Sequence, residues 1–172
     1  MAYTYSKIAT YTVGSGGIAN VSFLNIPQTY TDLVLKMSTR DNYTGAYTRP
    51  ITVQFNGLST SFSEKFLYGD GASAASFTST SGYIGYDSTA TATASTFANG
   101  ELYIPNYTSG TYKSMSTDNV SESNIGTGPI ASLAAGLWSN TSPINSISIV
   151  AYSGFLFAQY STFHLYGVKA EV

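Results

Sequence analysis

Cysteine is absent from the 172 residues. That one absence removes disulfides, thiolate metal sites and cysteine nucleophiles together, and it argues against a small secreted module held by disulfides. Charge is nearly missing too. Asp, Glu, Lys and Arg make up 9% of the chain, against about 25% in an average soluble domain. Seven basic residues scattered along a chain of net charge −2 form no basic stripe to neutralise phosphates, so nucleic acid is excluded as a partner. No apolar run approaches the ~20 residues of a membrane-spanning helix, so no membrane association is expected. The opening MAYTYSKIATYTV has no basic region followed by an apolar stretch and predicts no signal peptide. Helical periodicity is also nearly absent.

What is present is hydroxyl. Serine contributes 25 residues, threonine 22 and tyrosine 15, beside a hydrophobic fraction of 43%. The hydrophobic content is that of a globular domain. Hydroxyls and phenols hydrogen-bond without the desolvation cost of full charges. A surface built from them suits permanent packing against a neighbour, or contact with neutral sugars.

Period-two alternation dominates. In ITVQF, Ile51, Val53 and Phe55 point one way and Thr52 and Gln54 the other, the pattern of a half-buried antiparallel strand. Similar runs cover residues 6–13, 18–24, 33–40, 62–68, 83–86, 97–104, 112–120, 144–151 and 157–168. The alanine-rich IASLAAGLW, residues 130–138, reads as a further strand rather than a short helix. Pro27, Pro50, Pro105, Pro129 and Pro143 fall between or at the edges of these runs, where a missing N–H breaks no ladder bond. Gly16-Gly17 and Asn56-Gly57 mark turns. About ten short strands in one domain over residues 1–172 predict an all-β, jelly-roll-like antiparallel sandwich. Residues 1–12 read as an N-terminal arm. The polar, low-complexity stretches 69–81 and 87–95 read as long loops, mobile or ordered by a neighbour. In GELYIPNYTSGTYKSMSTDNVSE, residues 100–122, Pro105 ends one strand and 107–110 turns the chain. The returning strand, with Met115 and Thr117 inward, reads as a sheet edge guarded by Lys113, Asp118 and Glu122.

The usual reagents of catalysis are scarce. The one histidine, His164, shares a strand face with Tyr160 and Tyr166 and reads as a hydrogen-bonded strand residue rather than a base. With one imidazole and no thiolate, a metal site would fall to carboxylates alone. A glycosidase needs two carboxyl groups roughly 5–10 Å apart. Asp118 and Glu122 on one extended strand stand about 13 Å apart. Glu101 with Asp118 depends on strand register. Asp70, in YGDGAS, reads as a turn residue between glycines, because the spaced ligands of a calcium loop are missing. No phosphate-loop or nucleophile-elbow pattern occurs in a strand-to-helix setting. The chain therefore reads as a non-enzyme with no catalytic, cofactor or metal site.

Tyrosines are the candidates for binding. Tyr3, Tyr5 and Tyr11 crowd the N-terminal segment, and Tyr43 and Tyr47 flank Gly45. Tyrosine gives large contact area at low entropy cost, which suits an interface. The same rings stack on sugars or rim a core.

Several phrases carry a resemblance: NIPQTYTDLVLKMSTR, ITVQFNG, ELYIPNYTSGTYKSMS, AAGLWSNTSPINSISI and FHLYGVK. In this order, over residues 18–168, the chain resembles small virion structural proteins of tailed bacteriophages. That group includes capsid decoration (cement), tail and other structural proteins. The resemblance implies a phage virion component, and a single compact domain of low charge with no fibre-like repeat favours a capsid decoration protein, made in the host cytoplasm and located on the outer capsid surface of the virion. Its partners would be the major capsid protein and other copies of itself, as a homotrimer. The N-terminal tyrosines and long loops would face the capsid. The alternative it implies is a tail-associated module that binds a receptor or host glycan. No cofactor is implied by either.

Overall fold

The computed structural model describes residues 3–125 and 128–170. They form twelve strands and one short 3-10 turn, and every strand pair is antiparallel. The strands are β1 (Tyr3–Thr12), β2 (Asn20–Phe23), β3 (Asp32–Thr39), β4 (Thr48–Phe55), β5 (Phe62–Gly69) and β6 (Ala74–Ser79). The chain continues with β7 (Tyr83–Ser88), β8 (Ala98–Ile104), β9 (Lys113–Ser121), β10 (Ile130–Trp138), β11 (Ile147–Ala151) and β12 (Thr162–Ala170). Eight strands make one sheet in the order β1-β12-β3-β8-β9-β10-β5-β6, and four make a second, β2-β11-β4-β7. The expected all-β sandwich is the fold.

Alternation explains the core. Val53 and Phe55 of β4, with Ile147 and Ile149 of β11, meet Leu33, Leu35, Leu102, Phe163 and Leu165 of the large sheet, all nearly or fully buried. Full burial of one such side chain contributes about 1.5–3 kcal/mol. Trp138 closes one side against Phe55 and Phe62, at ring separations of 5.3 and 6.4 Å. IASLAAGLW is strand β10, as its flanking turns suggest.

Several local expectations change. First, residues 69–81 are not one long loop, because Ala74–Ser79 pairs with β5 as β6 and Phe77 stacks on Phe66 at 4.7 Å. Ser/Thr-rich composition hid a strand anchored by one aromatic. Second, residues 87 and 88 end strand β7, and both are fully buried.

Third, β9 is no edge. It lies between β8 and β10, and Lys113 is buried with Nζ donating to the carbonyls of Ser109 (2.7 Å), Thr111 and Asn140 (3.5 Å). A polar strand sits inside the sheet because its inward hydroxyl and amide groups meet β7 rather than greasy core. The Ser121 hydroxyl lies 3.0 Å from that of Ser88, and Asn119 Oδ1 accepts the Tyr86 N–H. Glu122 lies just past the end of β9. Fourth, Pro50 lies within β4, at a level where β11 has already ended opposite Ile51 and only β7 pairs.

Residues 3–12, read as part of an arm, are strand β1 laid along β12. Its register shifts between Lys7 and Ala9, so Ile8 and Ala9 both pack against the core. That bulge decides where the N-terminal tyrosines point.

A candidate docking face

The small sheet covers one face of the large sheet and leaves the other open. Strand register assembles a row across that outer face: Leu67, Leu133, Asp118, Glu101, Lys36, His164 and Thr10, each opposite the next on neighbouring strands. The row runs from apolar, through charged, to hydroxyl. At the apolar end Leu67 and Leu133 are 57% and 58% exposed, and Val120 beside them is 48% exposed. With Ala131 and Asp118 they line a shallow concavity of about 570 Å³. Three large apolar side chains side by side in solvent form the kind of patch that marks a contact surface.

At the charged centre Lys36 Nζ lies 2.9 Å from Glu101, the one ion pair among the described residues. The hydrogen bond to Glu101 and its charge raise the Lys36 pKa. Glu101 and Asp118 do face each other across β8 and β9. Glu101 is held by Lys36, and the two carboxylates line a concavity of about 170 Å³ on the outer face with Tyr103, Ser116 and Leu133. His164 Nδ1 lies 3.1 Å from the Thr10 hydroxyl, so its partner is a threonine on β1 rather than a neighbouring tyrosine. Toward β1 a second concavity of about 460 Å³ is lined by Tyr5, Asp32, Glu101, Tyr103, Ser116 and Val168. There Asp32 accepts the Tyr103 hydroxyl (2.9 Å) and the Asn106 N–H (3.0 Å).

The candidate tyrosines do not converge. Tyr5, 55% exposed, lies opposite Val168 and touches the Tyr166 ring edge-on at 6.4 Å on the outer face. Tyr11, 38% exposed, lies opposite Phe163, whose side chain points into the core, so the bulge has turned it to the other face. The Tyr3 side chain lies outside the described ones. Tyr43 and Tyr47 are half-buried in the loop between β3 and β4. Tyr47 lies over Gly128, where an added Cβ would come within 2.5 Å of its ring.

Tyr43 covers an arginine. The Arg49 guanidinium lies 4.0 Å from the Tyr43 ring centre, 4.6 Å from Tyr152 and 5.4 Å from Phe155, a cation–π enclosure. Beside it are two acids that composition alone would place at the surface. Asp87, directly opposite Arg49 on β7, is fully buried, as is nearly all of Asp41. Burial first, and then the neighbouring Asp41 charge, pushes the Asp87 carboxyl well above its ordinary range. Burial also raises Asp41, partly offset by the Tyr43 N–H it accepts at 2.9 Å. Arg40 holds the adjoining loop through the carbonyls of Ala92, Thr93 and Thr96 at 2.9–3.0 Å. Among the described residues no three His, Cys, Asp or Glu side chains gather as metal ligands. Asp70 caps its own turn, accepting the N–H groups of Ala72 and Ser73.

Sequence reasoning missed the exposed leucines. The signal was there: in KFLY, adjacent Phe66 and Leu67 make both faces of β5 apolar. In SLAAGLW the larger residues Leu133 and Leu137 alternate with the small inward Ser132, Ala134 and Gly136, so the pattern is inverted. No protein-family model, curated protein or solved structure matches the chain.

Proposed function

We propose that this chain is a structural protein of a tailed-phage virion, foremost a capsid decoration protein that binds the outside of the major capsid shell and acts without catalysis. The sequence phrases that resemble that group motivate the reading. They fall on β3, β4, the β8–β9 hairpin, β10–β11 and β12, the scaffold of the sandwich. The structural observation that carries it is the open outer face, with Leu67, Val120 and Leu133 exposed together beside one ion pair. Such a face offers apolar area bordered by polar and charged groups, which is what clamping a neighbour requires. Other copies of the chain would complete the assembly as a homo-oligomer.

The test uses purified particles of the virus that encodes the chain. Copy number by quantitative mass spectrometry should run to hundreds per particle, and the double variant Leu67→Lys/Leu133→Lys should leave heads unoccupied while folding normally. Absence from the particle, or full occupancy by that variant, would sink the reading. One observation favours a tail-associated glycan-binding module instead: the concavity where Tyr5 and Tyr103 stand beside Asp32 and Glu101. Rings that stack and carboxylates that accept hydroxyls suit a neutral sugar. A few dozen copies or fewer, located in the tail, would select it.

A further inference from the structure

The four terminal strands of the two sheets are not protected alike. β1 is bulged and carries Lys7. β2 has only four residues. β7 is bulged against β4, and Asn119 from the other sheet takes the Tyr86 N–H. Bulges, charges, shortness and cover are how sheet edges are kept from pairing. β6, Ala74–Ser79, has none of these: six residues, AASFTS, with no charge, no proline and no register shift. β5 is its one neighbour in the sheet.

We infer that β6 is a pairing edge, and that its occupant is β6 of a second copy, joined antiparallel about a two-fold axis at Phe77. Three observations select a second copy. An uncharged strand meets itself without placing like charges opposite each other. Phe77 is half-buried, stacked on Phe66 at 4.7 Å and 4° on its β5 side. A two-fold at Phe77 puts the partner's ring in the opposite cross-strand position and extends the stack through both chains. The third observation is on the outer face. The same axis sets Ser76 opposite the partner's Thr78, two small exposed residues that leave the backbones free to approach. The apolar patches containing Leu67, which is opposite Ser76, then flank the axis on one continuous face. The edge pairs, or stays open, whatever larger assembly the chain joins.

One six-residue edge buries well under the ~1,200 Å² of a stable standard interface, so the pair should be weak in dilute solution. Sedimentation of the full chain up to about 1 mM should show a species near twice the 18.3 kDa chain mass. Ser76→Lys/Thr78→Lys, at exposed outward positions, should raise its dissociation constant at least tenfold. Ser114→Lys, exposed on β9, should leave it unchanged. Because the chain has no cysteine, Ser76→Cys/Thr78→Cys gives a clean cross-link test. Opposite strand residues stand about 4.5–5.5 Å apart at Cα, within disulfide range. Mild oxidation should convert that variant to covalent dimer and leave Ser114→Cys monomeric. A chain that stays monomeric throughout, a trimer indifferent to Ser76→Lys/Thr78→Lys, or equal cross-linking at Ser114 would overturn the inference.

Discussion

Asn119 Oδ1 accepts the Tyr86 N–H at 2.8 Å, and Asn119 Nδ2 donates to the Asn99 carbonyl at 3.1 Å. One buried amide on β9 thus ties the edge of the small sheet to the middle of the large one. It does this where the inward residues of β9 are too polar to join the sheets by hydrophobic contact. Asn119→Ala leaves the Tyr86 N–H without its side-chain acceptor, which costs about 1–3 kcal/mol for an unsatisfied buried group. Urea denaturation should show that loss with an unchanged m-value. A loss below about 0.5 kcal/mol would mean that water replaces the amide at no cost.

Gly85 is the counterpart of that contact. Its φ is +137°, and an added Cβ would lie 2.8 Å from Asn119 Cβ. Gly85→Ala therefore combines a backbone penalty with a clash. The expected loss is about 2–4 kcal/mol, at the upper end for single substitutions. In an Asn119→Gly background the clash term disappears, so the added cost of Gly85→Ala should shrink. Equal costs in both backgrounds would place the whole effect in the backbone.

These two residues also show what could be read from the sequence. Alternation in ITVQF and SISIVA placed the core strands, because one face of each is plainly apolar. The edge reading of KSMSTDNVS failed for the same reason in reverse. Its inward set is Lys113, Met115, Thr117, Asn119 and Ser121, and polarity alone does not reveal that Asn119 and Ser121 meet partners on β7. Register is likewise invisible locally. The meeting of Glu101 with Asp118 depends on the register of the β8–β9 hairpin, and that of Leu67 with Leu133 on a pairing between distant segments. The split of Tyr5 from Tyr11 needs the bulge at Ile8, which no nearby glycine or proline announces.

Lys113 supports a third prediction. Its ammonium is buried, its pKa is lowered by that burial, and its acceptors are all backbone carbonyls. It therefore closes the β8–β9 turn in the way a bound cation would. Lys113→Met keeps the stem but orphans the Ser109 and Thr111 carbonyls, at about 1–3 kcal/mol. Hydrogen exchange should then accelerate first in the 106–112 turn. Uniform acceleration along β9 and β10 instead would mean that Lys113 supports the sheet rather than the turn.

The exposed pair is expected to matter little. Lys36 and Glu101 are 53% and 36% exposed, and solvent-exposed ion pairs contribute about 0–1 kcal/mol. Lys36→Ala should move the thermal midpoint by less than Asn119→Ala does, and 0.5 M salt should remove even that difference. A larger loss for Lys36→Ala would show that its stem covers apolar area on the outer face.

Asp87 yields the last prediction, and its sign differs from that of an ordinary carboxylate. Burial and Asp41 raise its pKa in the folded state above the ~3.9 of an unfolded aspartate. The folded chain therefore holds a proton that the unfolded chain has released. Stability from this group is fully present below about pH 4 and is lost as pH rises from there through the folded pKa. Asp41 and Glu64, both raised chiefly by burial, push in the same direction. Arg49, opposite Asp87, and Arg40 beside Asp41 oppose the trend without reversing it. Asp87→Asn removes the titrating group while keeping its shape. It should therefore raise the thermal midpoint at pH 7–8 and change it little at pH 4. The gap should widen by about 1.4 kcal/mol for each pH unit between the two pKa values. Thermal denaturation of both chains from pH 4 to 8 measures it. A variant that is less stable at pH 8 than at pH 4, relative to the parent, would mean that Asp87 is ionised in the fold and paired with Arg49.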